Sequence, residues 1–218
     1  MELFARSWTD LRSAVAGLAP EDFARPSGCT GWLVRDLVCH LVIDAQDVLI
    51  TLVTPADTEP TADAATYWHV GEEPPTGEDP LAALTVRLAA AYQDPALLTF
   101  HLDDVGAAAG RAAELADLDA RVSTQDMVLT ARDYLDAYVL EWTLHHLDLT
   151  AHLPHVPGPA PESLAATRAL LERIAGSPFP RALDDRATLQ LATGRRHPTP
   201  SESTTLTPFS TRLPLVLG

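Results

Sequence analysis

Glu141 and His145 stand four residues apart in the stretch Glu141-Trp-Thr-Leu-His145-His146-Leu-Asp148-Leu149. On a helix both side chains leave the same face about one turn apart, where a carboxylate oxygen and an imidazole nitrogen can share a cation. That pair is half of a site. His40, in Asp36-Leu-Val-Cys-His40-Leu41, is the third candidate, and a second helix must run beside the first to bring it across. Two imidazoles and one carboxylate leave coordination positions open, the arrangement of a working metal rather than a structural one. Each residue also has a plainer explanation. A Glu–His pair at this spacing can be a surface pair worth about a few tenths of a kcal/mol, and a single helical histidine is often a hydrogen-bonded core residue. His146 points about 100° away from His145 round a helix and reads as packed or solvated. Asp148 either orients a ligand imidazole from behind or bonds near the helix end. Cys29 and Cys39 read as ordinary small residues.

The elements that must position these residues are helical. Apolar residues recur every three or four positions from Phe4 through Trp8, Leu11 and Val15 to Leu18, and Pro20 ends that run. A second stripe, Leu37, Leu41, Ala45, Val48 and Leu52, stops at Thr54-Pro55. Residues 55–80 are rich in Pro, Thr, Asp and Glu without a period. They read as a long surface connection able to serve as a lid, with Tyr67-Trp68-His69 as its aromatic cluster. Asp79-Pro80 is an N-cap followed by a first-turn proline for a third helix through Leu88 and Tyr92. The alanine-rich stretch from Pro95 to Ser123 carries too weak a pattern to define its path. Thr130, with Asp133 three residues on, starts a fourth long helix, which carries the Glu141–His145 pair to about Ala151. Pro161 to Ala175 forms a shorter helix stopped by Gly176, and a helix or strand follows around Arg186 to Thr193. Together these elements predict an all-α bundle over residues 1–155, with a C-terminal extension over 156–218 packed on it.

Composition narrows the chemistry. The 218 residues hold 15 basic and 30 acidic side chains, a net charge of −15 that repels nucleic acid and anionic lipid. Every basic residue is arginine. Lysine Schiff-base chemistry and the lysine-dependent phosphate loop are therefore excluded. Two cysteines are too few for a disulfide framework, and no apolar run is long enough to span a bilayer, so a soluble protein of the reduced cytoplasm, monomer or homodimer, is expected.

Two blocks carry a more specific signal. Gly31-Trp-Leu-Val-Arg-Asp-Leu-Val-Cys-His40-Leu41 matches the signature GWxVRDLxxHL. The segments Arg121-Val-Ser-Thr, Met127 to Leu135, and Glu141-x-x-x-His145-x-x-Asp148-Leu149 match a second block. Together they resemble the DinB/YfiT-like superfamily in its mycothiol-dependent maleylpyruvate isomerase branch, over roughly the first 150 residues. The resemblance implies a DinB-like four-helix bundle with a divalent metal, usually zinc and alternatively nickel, held by His40, Glu141 and His145. It also implies mycothiol or a similar thiol as cosubstrate and a small electrophile as substrate, joined by S-transfer or isomerised. Tyr138 stands three residues before the motif glutamate, where the family often has arginine, so no anion-binding role is carried over to it. The residues after Ala151 do not align with the family's C-terminal domain, and the substrate is not carried over either. A metal-dependent hydrolase and an inactive ligand-binding bundle are the alternatives on the same residues.

Overall fold

The computed structural model describes residues 1–73, 76–77 and 79–217. Pro74, Pro75 and Glu78 of the 55–80 connection, and Gly218, lie outside the described residues. In chain order the regular elements are α1 (Glu2–Ala16), α2 (Val34–Leu52), β1 (Val70–Gly71), α3 (Pro80–Ala91), α4 (Pro95–Leu115), β2 (Arg121–Thr124), β3 (Met127–Thr130), α5 (Ala131–Thr150), α6 (Pro161–Ala175), α7 (Asp185–Ala192), α8 (Pro200–Thr205) and β4 (Val216–Leu217). The fold is all-α, as the periodicity predicts, with two short antiparallel strand pairs among the described residues. Among the same residues, no helix is long and apolar enough to cross a membrane.

Helices α1, α2, α4 and α5 form the bundle around one core. Phe4, Trp8 and Leu11 meet Leu37, Leu41 and Val48, Leu98 and Leu102, and Tyr134, Leu135 and Trp142. Trp8 stacks on Trp142 with ring centroids 4.0 Å apart, so α1 is registered directly against the helix that bears the chemistry.

The stretch whose path the sequence leaves open supplies the fourth bundle helix. Asp94 caps α4 by accepting from the Ala96 amide at 2.9 Å, and Pro95 occupies its first turn. The buried face of α4 is Leu98, Leu102, Gly106, Ala109 and Ala113. Small residues let α1 come close: Trp8 Nε1 donates to the Gly106 carbonyl at 2.8 Å. A helix that packs through glycine and alanine carries little of the large-residue stripe that periodicity detects. Helix α3, by contrast, is capped by Asp79 as expected but buries only Thr85 and Ala89, with Leu81, Leu84 and Leu88 exposed. It lies against the bundle rather than within it.

The hairpin of β2 and β3 has no counterpart in the sequence reading. Its strands are four residues each, too short for a period, and Gln125 and Asp126 both take positive φ (48° and 61°) in the turn. The hairpin delivers the chain to Thr130, whose Oγ1 accepts from the Asp133 amide at 3.0 Å and starts α5 where the capping pattern places it.

Helix α5 is buried on two sides. Its Leu140, Leu144 and Leu147 form a second core with Leu164, Leu171, Leu189 and Phe209 of the C-terminal segment. Helix α6 ends at Gly176, which takes the left-handed conformation (φ 69°) that an αL cap requires. The chain then returns through α7 and α8, and β4 pairs with β1 in the register Val70 with Leu217 and Gly71 with Val216.

Candidate metal centre

The bundle brings His40, Glu141 and His145 together. Glu141 Oε1 lies 2.9 Å from His145 Nε2 on its own helix and 3.5 Å from His40 Nε2 across on α2. The imidazoles meet edge to face with centroids 4.8 Å apart. A fourth residue, which sequence reasoning missed, joins them. Asp44 lies one turn beyond His40 on α2, with Oδ2 3.5 Å from His40 Nε2. One ligand atom from each of the four falls within 4.8 Å of the others. The signal was present: His40 and Asp44 show the same four-residue spacing as Glu141 and His145. Asp44 is buried and the His145 side chain keeps only 11% of its surface, while the His40 side chain keeps 24% and faces Trp32, so the cluster opens on that side.

The electrostatics are those of coupled carboxyl and imidazole groups. Asp44 Oδ2 is buried and has no hydrogen-bond partner among the described residues. Burial pushes the Asp44 carboxyl up to about 6, partly offset by His40. Burial also acts to raise Glu141, but His145 and His40 outweigh it and hold that carboxyl well below the usual range. His145 is driven down by burial, yet Glu141 and Asp148 raise it well above an ordinary imidazole. The buried carboxylate of Asp44, the half-buried one of Glu141 and two imidazole nitrogens thus face one small space, with Asp44 Oδ2 lacking a hydrogen bond among the described residues. A nitrogen and oxygen donor set of this size fits a divalent metal ion.

The far side of His145 is equally well defined. Its Nδ1 lies 3.1 Å from Asp148 Oδ2, so the carboxylate accepts the Nδ1 proton and Nε2 is turned toward Glu141. Asp148 is 2% exposed and is gripped by Arg195, whose Nε donates to Oδ1 at 2.9 Å and Nη2 to Oδ2 at 2.8 Å. Burial acts to raise Asp148, but Arg195 and His145 hold it well below the usual carboxylate range. Cys29 does more than fill space, because its Sγ donates to Asp148 Oδ2 at 3.4 Å and lies 3.7 Å from His145 Nδ1. Burial raises that thiol and keeps it protonated. The turn carrying Cys29 is pressed onto the end of α5, where the Gly28 amide donates to the Asp148 carbonyl at 2.8 Å.

The remaining candidates fall where their spacing puts them. His146 points away from the cluster, is buried, and donates from Nε2 to the Pro157 carbonyl at 2.9 Å. Tyr138 is buried between the rings of Tyr134 and Trp142. Cys39 lies in the core. From the 55–80 connection, Tyr67 packs edge-on to Tyr134 with centroids 6.1 Å apart. Burial lifts its hydroxyl to about 12, and the negative charge of Glu141 and Asp44 adds to the effect.

The profile of the mycothiol maleylpyruvate isomerase N-terminal domain family matches residues 4–150. The chain belongs to that family. The span shared with the mycothiol maleylpyruvate isomerase N-terminal domain contains His40, Asp44, Glu141, His145 and Asp148, and it ends before Arg195. No curated protein and no solved structure matches the chain.

Proposed function

We propose that the protein is a cytoplasmic, metal-dependent enzyme in which His40, Glu141 and His145 hold a divalent metal, zinc or alternatively nickel, with Asp44 as an added acidic neighbour. The enzyme uses a small-molecule thiol, mycothiol by family, for S-transfer to a small electrophile or for its isomerisation. The observation that carries this reading is the buried Asp44 Oδ2, which has no hydrogen bond among the described residues, beside the converged atoms of His40, Glu141 and His145. A buried acceptor without a partner is costly, and a shared cation satisfies it. Membership of the mycothiol maleylpyruvate isomerase N-terminal domain family supports the thiol and the isomerase-type activity. Two free cysteines favour a reducing compartment. We take residues 1–155 as the metal-binding unit and 156–218 as the extension packed on it.

A metal bound there would lower the pKa of a thiol sulfur at its open position, so that thiolate predominates near neutral pH. The chain's own residues supply the rest. Asp148 fixes the Nδ1 proton of His145 and thereby aims Nε2 into the cluster. The exposed edge of His40, beside Trp32, leaves the approach for thiol and electrophile. The buried walls exclude water from the far side.

The test is metal content by elemental analysis, with mycothiol consumption in the presence of a chlorinated aromatic electrophile. Bound metal and thiol-dependent turnover are expected, and both are lost in His145→Ala, because the ligands left behind hold zinc poorly. Metal-dependent hydrolysis without thiol would replace this reading with a hydrolase, and ligand binding without turnover would replace it with a binding bundle. Unchanged metal stoichiometry in His145→Ala would overturn the ligand assignment.

A further inference from the structure

His145 belongs to two clusters of metal-ligating groups. Its Nε2 faces His40, Asp44 and Glu141, while its Nδ1 faces Cys29 and Asp148. The second cluster contains a cation already. Arg195 spans both oxygens of Asp148 with two parallel N–H bonds, the geometry a guanidinium makes best with a carboxylate. Asp148 Oδ2 also faces the Cys29 thiol and the His145 Nδ1 proton, so that carboxylate is fully engaged by donors.

Arg195 reaches this place from the C-terminal segment. Helix α7 ends at Ala192, and Gly194 takes a left-handed conformation (φ 74°) that turns the chain so that Arg195 points back to α5. The Leu215 amide ties the same stretch down by donating to the Ala192 carbonyl at 2.7 Å. The arginine therefore joins the extension to the end of α5, through a carboxylate that is almost entirely buried.

We propose that Arg195 is a positioning residue for the metal centre: by holding Asp148 on the Nδ1 side of His145, it fixes the tautomer and direction of that imidazole and leaves the Nε2 cluster as the place for the ion. The inference rests on the metal reading above and adds to it that the extension is part of the site. Without the guanidinium, Asp148 is a buried carboxylate with one imidazole and one thiol for partners, free to turn, and the Nδ1 bond that aims His145 is weakened.

The test uses the full-length protein, stripped of metal and titrated with Zn²⁺ or Co²⁺ against a chelator, as wild type, Arg195→Ala, Arg195→Lys, Asp148→Asn and the double variant Arg195→Ala/Asp148→Asn. Loss of an orienting partner typically weakens metal binding by about 10–100-fold, and that range is expected for Arg195→Ala. Arg195→Lys keeps a charge without the paired bonds, so it is expected to recover only part of the loss. The double variant is expected to bind no more weakly than the worse single one, because both changes break the same link. Nitrogen-15 NMR of His145 in the zinc-loaded protein is expected to show a single Nδ1–H tautomer in wild type and a mixture in Arg195→Ala.

Should Arg195→Ala fail to fold, Arg195→Lys and Asp148→Asn decide by the same readouts. Wild-type protein that takes up neither ion would sink the metal reading and this inference with it. Wild-type binding matched within about twofold by a folded Arg195→Ala, or additive losses in the double variant, would overturn the inference alone.

Discussion

Gly28→Ala tests how closely the turn before α2 must sit on α5. A Cβ at residue 28 would lie 2.6 Å from Asp148 Oδ1, 2.8 Å from Asp148 Cα and 3.2 Å from Asp148 Cβ. Ordinary contact begins near 3.4 Å, so the Cα distance alone demands a shift of 3.4 − 2.8, or 0.6 Å. The blocking atom is backbone in a packed helix end and cannot swing aside. The shift must come from the turn, which stretches the 2.8 Å bond from the Gly28 amide to the Asp148 carbonyl and lifts Cys29 from His145. Overpacking of this kind costs about 1–3 kcal/mol. For a chain of this size that corresponds to a fall in Tm of about 2–12 °C. Denaturant unfolding should show a lower midpoint at unchanged slope, and zinc titration of the same variant should show weaker binding, because Asp148 moves with the turn. A variant within about 0.5 kcal/mol of wild type, with unaltered zinc affinity, would refute the steric reasoning and the link from this turn to the site.

The contact of α1 with α4 and the cap of α8 can be probed in the same way. Gly106→Ala places a Cβ 2.7 Å from Trp8 Cζ2 and should destabilise by about 1–3 kcal/mol. Gly110→Ala, one turn on and 3.9 Å from Trp8 Cδ1, should instead stabilise by about 0.5–1 kcal/mol, and thermal unfolding of the pair reads the difference in sign. Hydrogen bonds from Arg196 and from the Thr199 amide hold the Glu202 carboxyl down to about 2. Because the folded value is depressed, the contribution of this α8 cap is complete above the ordinary carboxylate range and is lost as pH falls through about 2. Carboxyl carbon NMR checks it, and a Glu202 midpoint above about 4 would contradict the capping geometry.

Much of the site was legible because its spacing is local. Four residues on one helix place Glu141 above His145 whatever the rest of the chain does, and the same rule fixes His146 on another face. Thr130 and Asp133 announce the start of α5 by a bond within one turn. Helix α4 escaped because its buried face is largely glycine and alanine, which pack well and signal poorly. Asp44 sat at a readable spacing from His40, but only the angle at which α2 meets α5 turns both toward Glu141.

Residue order along the chain thus determined which side chains share a helix face, and hence the two half-sites and the apolar stripes that bury them. Tertiary structure alone decided that the halves meet, that Asp44 Oδ2 is left without a hydrogen-bond partner among the described residues, and that Arg195 closes on Asp148 from 47 residues away. Periodicity is set by backbone geometry within one helix, whereas convergence between helices depends on how Trp8, Gly106 and Trp142 pack, a property of the folded core as a whole.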